Sequence, residues 1–144
     1  MPKPLVIDAS LAFRLLLPGS QQAEMQSLVA QWLADGCELH APTLWAYELT
    51  SALCKTVHFG HITAGEAERT LALAQHLGVQ LVAPHDELVR SAFGWTLRLD
   101  RAAAYDSFYL ALAEMLDCEL WTADRGLQRA VDEPWVRVAG VPAV

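Results

Sequence analysis

Charged residues are scarce in this sequence, and those present are mostly acidic. They make up 19% of the 144 residues, against 53% hydrophobic residues, and the formal net charge is −7. This composition excludes a disordered chain and predicts one globular domain over residues 1–144 with a well-filled core. The acidic balance also argues against a nucleic-acid partner, unless several carboxylates converge on a divalent cation that neutralises them.

Cysteine and long apolar runs are scarce as well. Cys37, Cys54 and Cys118 are widely spaced and odd in number, so we expect reduced residues rather than a zinc or redox site. The longest apolar stretches, "LAFRLLL" and "FYLALAEML", are interrupted by Arg14 and Glu114 and are too short to cross a bilayer. Because the N terminus also lacks a secretory signal, we expect a cytoplasmic protein with no membrane partner.

Short apolar runs alternate with amphipathic segments along the chain. Strands are predicted at residues 5–8 and within "CELHAP", "VQLVAP", "ELWTA" and "WVRVAG". The helical segments between them predict right-handed crossovers and a parallel sheet covered by helices on both faces. In such a sheet, ligands bind outside the carboxyl ends of the strands.

Several helices have recognisable starts. Thr43 is predicted to cap a helix that ends near His58, and Thr63 with Glu66 forms a T-x-x-E capping box for the next helix. Two other helices are predicted to bury apolar side chains. The first begins at Ser20 and buries Met25, Leu28, Val29, Trp32 and Leu33, and the second, "AAYDSFYLALAEML", packs through Phe108, Leu112 and Met115.

Four acidic residues fall where the strand ends are expected. Asp8 ends the first strand, and Asp124, in "LWTADRG", follows the fourth. Asp106 lies in the first turn of the helix that leads into that fourth strand. Glu48, in "LWAYELTSAL", lies in a helix that starts near the end of the second strand. The parallel topology predicts that these four carboxylates meet at one edge of the sheet.

Each acid also has a structural interpretation. Asp8 and Asp124 are good N-cap residues for the helices that follow them, and Asp106 complements its own helix dipole. Glu48 is harder to explain, because its neighbours four residues away are Leu44 and Ala52 rather than lysine or arginine. A glutamate on a largely apolar helix surface needs a partner, and a metal ion is one.

Other kinds of active site are not indicated. The motifs G-x-G-x-x-G, G-x-x-x-x-G-K-[ST], G-x-S-x-G and H-E-x-x-H are all missing from the sequence. Hard oxygen ligands without converging cysteine or histidine suit Mg²⁺ or Mn²⁺ rather than zinc. Metal-assisted chemistry on a phosphate is the class that remains.

Four segments resemble the acidic motifs of PIN-domain nucleases in order and spacing, and most closely those of VapC-type toxins of toxin–antitoxin pairs. They are "VIDAS", "YELTSAL", "YDSFYLALAE" and "LWTADRGL". The resemblance implies a single PIN-like α/β domain with a three-layer α/β/α arrangement. Its middle layer is a parallel sheet of about five strands. It also implies a metal cluster of Asp8, Glu48, Asp106 and Asp124 that holds Mg²⁺ or Mn²⁺ and hydrolyses RNA, leaving a 5′-phosphate and a 3′-hydroxyl.

The resemblance extends to residues around the acids. Ser10 and Thr122 match hydroxyl positions of the family and Ser107 follows Asp106, so all three are expected to orient carboxylates or water. Four arginines near the motifs are candidates for contacts to RNA phosphates, although each is equally explained as a solvated helix residue. They are Arg14, Arg98, Arg101 and Arg125.

Family members usually form homodimers and are inhibited by a small VapB-like antitoxin. Trp45, Phe59 and Trp95 are candidates for such a protein-binding surface, although tryptophan at helical spacing is more often core. Two other functions stay open at this point: a housekeeping PIN nuclease in RNA processing, and a non-catalytic binding module with the same fold.

Overall fold

A computed structural model describes residues 2–19 and 22–139 of the protein. The strands in these ranges are β1 (Lys3–Ile7), β2 (Cys37–Pro42), β3 (Gln80–Val82), β4 (Leu120–Thr122) and β5 (Val136–Val138). The helices are α1 (Ala9–Leu16), α2 (Gln22–Ala34), α3 (Leu44–His58), α4 (Ala64–His76), α5 (Asp86–Arg98), α6 (Tyr105–Leu116) and α7 (Arg125–Val131).

The five strands form one parallel sheet in the order β3-β2-β1-β4-β5. From the central β1 the chain passes to β2 and β3 on one side, and then returns to β4 and β5 on the other. Sheets of this kind have a crevice at the carboxyl ends of the two strands where the order reverses, which are β1 and β4 here. The predicted parallel sheet is therefore confirmed, and the carboxyl ends of β1 and β4 are its candidate ligand edge.

Helices cover both faces of the sheet in a three-layer α/β/α arrangement. On one face α1 packs against α2, α3 and α4, whereas α5 packs on α6, which contacts β1, β2 and β4. Leu5, Val6 and Ile7 of β1 are at most 2% exposed. Such burial explains why the strand reads as a continuous apolar run rather than an alternating one.

The capping box at Thr63 is confirmed, because its N–H donates to Glu66 Oε1 at 3.0 Å and the Glu66 N–H donates to Thr63 Oγ1 at 3.1 Å. Thr43 occupies the N-cap position of α3, but its side chain makes no capping bond. Its φ and ψ of −55° and −26° are already helical, whereas a side-chain cap normally needs an extended residue. Ser20, the predicted start of the second helix, lies outside the described residues.

Some burial predictions are wrong. Leu33 is 57% exposed, because the buried stripe of α2 follows Met25, Val29 and Trp32 and leaves Leu33 off that stripe. Met115 is 36% exposed, because the run of buried residues in α6 ends at position 113.

The candidate partner-surface aromatics divide between core and surface. Trp45 and Trp95 are core residues, whereas Phe59 is 70% exposed. The three cysteines are free. Within the described ranges, no helix combines the length and apolar character needed to span a bilayer.

Candidate active site at the edge of the sheet

Asp8 and Asp124 follow the two strands that border the crevice. The Asp8 backbone N–H donates to the carbonyl of Trp121 at 3.2 Å, which ties the end of β1 to β4. Asp124 comes two residues after the last residue of β4. Both carboxylates therefore lie at the carboxyl edge of the sheet, as the sequence predicts.

Asp8 is a buried N-cap with three hydrogen-bond partners. Its Oδ1 accepts from the N–H of Leu11 at 3.0 Å and from the hydroxyl of Ser10 at 2.7 Å. Burial raises the pKa of Asp8 to about 6, although hydrogen bonds from Thr122, Leu11 and Ser10 oppose the rise. The negative charge of Asp106 raises this pKa further.

Asp124 is the N-cap of α7. Its Oδ1 accepts from the N–H of Gly126 at 2.8 Å and of Leu127 at 3.2 Å. The N-cap interpretation of Asp8 and Asp124 is therefore confirmed. It does not compete with cation binding, because each carboxylate has about four acceptor positions and the caps use Oδ1.

Asp106 is the electrostatic centre of the four acids. Burial is the largest influence on the pKa of Asp106 and raises it. The Arg101 guanidinium lowers this pKa, and the negative charge of Asp124 raises it. Asp106 in turn raises the pKa of Asp8 and of Glu48. Asp106 therefore interacts electrostatically with each of the other three predicted site acids.

Glu48 has a partner that the sequence did not reveal. The hydroxyl of Tyr109 donates to Glu48 Oε1 at 2.6 Å. Burial raises the pKa of Glu48, the Tyr109 bond lowers it, and Asp106 raises it. Burial also raises the pKa of Tyr109, so the phenol stays a donor. The one available signal was position, because Tyr109 lies three residues after Asp106 and therefore on the same side of α6.

An open recess of about 480 Å³ connects two of these acids, Glu48 and Asp106, to solvent. Glu48, Arg101, Tyr105 and Asp106 line it, together with two alanines. A larger recess of about 770 Å³ lies between α2 and α7, and none of the four acids lines it. We therefore take the smaller recess as the substrate side of the candidate site.

The predicted hydroxyl residues divide into two groups. Ser10 and Thr122 lie between Asp8 and the turn that carries Asp124, since Ser10 Oγ accepts from the N–H of Ala123 at 3.2 Å and Thr122 Oγ1 accepts from that of Asp124 at 3.0 Å. Their orienting role remains a prediction.

Ser107 does not join this group. It is fully buried, and its Oγ accepts from the hydroxyl of Thr96 on α5 at 2.8 Å. The structure therefore offers no support for Ser107 as a residue that orients the acids.

Comparison with known proteins identifies the fold family. The PIN-domain model matches residues 5–133. This chain belongs to the PIN-domain family. It is 32% identical over 124 residues to Ribonuclease VapC3 of Pyrobaculum aerophilum, a match that covers 85% of this chain and 91% of that protein.

Solved structures resemble the same PIN domain. A toxin–antitoxin complex from Klebsiella pneumoniae matches with a TM-score of 0.66 at 14% identity, covering 94% of this chain and 96% of that one. VapBC2 from Rickettsia felis, bound to a DNA fragment from its promoter, matches with a TM-score of 0.70 at 9% identity, covering 94% and 97%. At these identities the likeness establishes the fold alone.

The four predicted phosphate-binding arginines are dispersed over the PIN domain. Arg101 Nη1 lies 3.1 Å from Asp106 Oδ2, so its charge faces an acid of the site. The guanidinium of Arg98 lies 3.6 Å from the centre of the Trp95 ring on the same helix. Arg14 is an exposed residue of the last turn of α1, and Arg125 begins α7 and lines the larger recess. Arg101 thus contacts an acid of the site and lines the smaller recess beside it.

The four predicted site acids supply suitable ligand atoms for a divalent cation, but their side chains are not close enough together to bind one. No three acidic, histidine or cysteine side chains among the described residues are close enough to hold an ion. Asp106 is turned toward Arg101, and Asp124 toward the amides of α7. All four acids supply the hard oxygen ligands that Mg²⁺ and Mn²⁺ prefer, and a cation would relieve their mutual repulsion. Side-chain rotation would be needed to bring them together.

Proposed function

We propose that this PIN domain is a Mg²⁺- or Mn²⁺-dependent endoribonuclease that acts as the toxin of a toxin–antitoxin pair. The proposal is supported by the position of Asp8 and Asp124 at the carboxyl ends of β1 and β4, and by Asp106, whose charge raises the pKa values of Asp8 and Glu48. The ribonuclease activity named for the Pyrobaculum aerophilum relative supports RNA as the substrate.

The residues of the chain have distinct tasks in this proposal. Backbone amides hold Asp8 and Asp124, whereas side chains of Tyr109 and Arg101 hold Glu48 and Asp106. The four carboxylates would bind one or two divalent ions. When bound, such an ion supplies a Lewis acid for phosphoryl oxygens and makes a water molecule nucleophilic at neutral pH.

RNA binding requires positive charge near the acids, because the chain as a whole is acidic. Arg101 is the best placed candidate, since it lines the recess together with Asp106 and Glu48. A cation bound by Asp106 would compensate that carboxylate and leave the guanidinium available to a phosphate oxygen.

The direct test is cleavage of a 5′-labelled single-stranded RNA by pure protein in Mg²⁺, in Mn²⁺ and in EDTA. We expect cleavage with either metal, none in EDTA, and product ends that carry a 5′-phosphate and a 3′-hydroxyl. Asp106→Asn should reduce the rate by at least about 100-fold, because it removes a negatively charged ligand.

Asp100→Asn is the matched control for that variant. Asp100 is exposed and has a φ of +53°, a conformation that asparagine accepts readily. It should cleave like wild type. Full activity of Asp106→Asn, or equal cleavage in EDTA, would contradict the proposed function.

The proposed partners are a small VapB-like antitoxin and a second copy of the chain. The neighbours in toxin–antitoxin and VapBC assemblies support the first of these. Co-expression with the product of an adjacent small gene should yield a stable complex that does not cleave RNA. Size-exclusion chromatography with light scattering of the free protein should give the mass of a dimer.

A further inference from the structure

Tyr109 is a buried polar residue that contacts one of the four acids. It belongs to α6 and is only 1% exposed, and its hydroxyl donates to Glu48 Oε1 at 2.6 Å. Glu48 belongs to α3 and lies 61 residues earlier in the chain. The bond therefore joins two separate helices at the acidic edge of the sheet.

The length of this bond is characteristic of a hydroxyl that donates to an ionised carboxylate, for which 2.5–2.7 Å is usual. A glutamate side chain has three rotatable bonds, so an unrestrained Glu48 would sample many directions. The hydrogen bond involves Oε1 alone, and a carboxylate accepts at both oxygens. Glu48 can therefore bind a cation while Tyr109 holds it.

The position of Tyr109 on α6 couples two acids of the site. Asp106 and Tyr109 are three residues apart, so they lie on the same side of the helix, one turn from each other. One rigid helix thus presents Asp106 directly and fixes the direction of Glu48 through the phenol. A phenylalanine would fill the same core space without supplying this donor.

We propose that Tyr109 is a positioning residue, which holds Glu48 in the orientation that binds the divalent cation. This inference rests on the proposed function, since it assumes that Glu48 is a ligand. Groups that orient a metal ligand typically change metal affinity by about 10- to 100-fold when they are removed.

The test is Mn²⁺ binding by isothermal titration calorimetry of wild type and Tyr109→Phe. We expect the Kd of Tyr109→Phe to be about 10- to 100-fold higher, in line with other orienting groups. Tyr109→Met also lacks the hydroxyl but fills the core flexibly, and it should show the same loss. Tyr47→Phe is the matched control, because Tyr47 adjoins Glu48 in sequence and is 72% exposed. Its Kd should equal that of wild type.

A double-mutant cycle separates positioning from general destabilisation. In the Glu48→Gln background, Tyr109→Phe should have no further effect on the Mn²⁺ Kd, because the ligand it positions has been removed. In the cleavage assay, Tyr109→Phe should lower kcat and leave KM for RNA unchanged. If the phenol were merely structural, Tyr109→Phe would lower the urea midpoint and leave the Mn²⁺ Kd as in wild type.

The possible failures are distinguishable. If wild type neither binds Mn²⁺ nor cleaves RNA, the proposed function and this inference both fall. If wild type binds Mn²⁺ and both Tyr109 variants bind it equally well, only the inference falls. Equal additional losses in the wild-type and Glu48→Gln backgrounds would likewise refute positioning through Glu48.

Discussion

Replacing Asp8 by asparagine should stabilise the metal-free protein at neutral pH. Asp8 is buried at the end of β1, and burial raises its pKa from 3.8 to about 6. Because one pKa unit corresponds to about 1.4 kcal/mol, its ionisation costs the folded state about 3 kcal/mol. Asparagine removes that cost but still accepts the capping bond from the Leu11 N–H.

The sign of the pH dependence follows from the raised pKa. The folded protein binds the Asp8 proton more tightly than the unfolded chain, so this contribution to stability is complete below about pH 4 and is lost as the pH rises through about 6. The pKa values of Glu48 and Asp106 are also raised by burial and act in the same direction. Glu66, with a pKa lowered by its bonds to Thr63, acts in the opposite direction.

Urea unfolding in EDTA between pH 4 and pH 7.5 measures the effect. Wild type should lose about 2–3 kcal/mol across this range from Asp8 alone, a large part of the 5–15 kcal/mol typical of a domain. Asp8→Asn should show a flatter profile and be about 2–3 kcal/mol more stable at pH 7. It should also lose the stabilisation that excess Mn²⁺ confers on wild type.

Two control variants separate the effect of the Asp8 charge from other effects of substitution. Asp100→Asn makes the same chemical change at an exposed acid and should retain the wild-type pH profile. Asp8→Ala removes the cap as well as the charge, so it should be less stable than Asp8→Asn by about 1 kcal/mol. An Asp8→Asn protein that is less stable than wild type at pH 7, or equally steep in its pH profile, would refute the reasoning.

Three further predictions are independent of Asp8. Thr63→Ala should cost about 1 kcal/mol in urea unfolding, because it breaks the capping box, while Mn²⁺ affinity stays unchanged. Gly126→Ala should weaken Mn²⁺ binding in calorimetry without lowering the melting temperature, since the added Cβ would lie 3.1 Å from Asp124 Oδ1 while alanine favours the helix. Arg101→Gln should change stability by less than about 1 kcal/mol, as expected of a partly exposed ion pair. It should nevertheless raise KM for RNA in the cleavage assay, and an unchanged KM would exclude a phosphate contact.

The strand ends were predictable because their signals are local. Asp8 and Asp124 each interrupt an apolar run, and the alternation with helices specifies a parallel sheet. Parallel strands bring their carboxyl ends to one edge, so the two aspartates must be near each other. The same reasoning placed Asp106 and Glu48 at this edge, and Asp106 influences the pKa of both Asp8 and Glu48.

The partner of Glu48 was not predictable, because that contact depends on a tertiary distance. Tyr109 and Glu48 are 61 residues apart, and no local pattern relates them. Ser107 shows how sequence adjacency differs from contact: it adjoins Asp106 in sequence, but one residue along a helix turns a side chain by about 100°. Its hydroxyl therefore meets Thr96 on α5 instead of the carboxylates.

The net charge of the chain does not by itself decide whether RNA can bind. A chain of charge −7 repels RNA, and one bound divalent ion would reduce that charge only to −5. RNA binding in the proposed function must therefore depend on local charge, supplied by the cation and by Arg101 within the recess. Because Asp8, Glu48 and Asp106 are partly or fully buried, their ionisation without a cation lowers the folding stability. A bound cation would restore that stability. Metal binding, folding stability and RNA affinity should consequently vary together in variants of Asp8, Glu48 and Asp106.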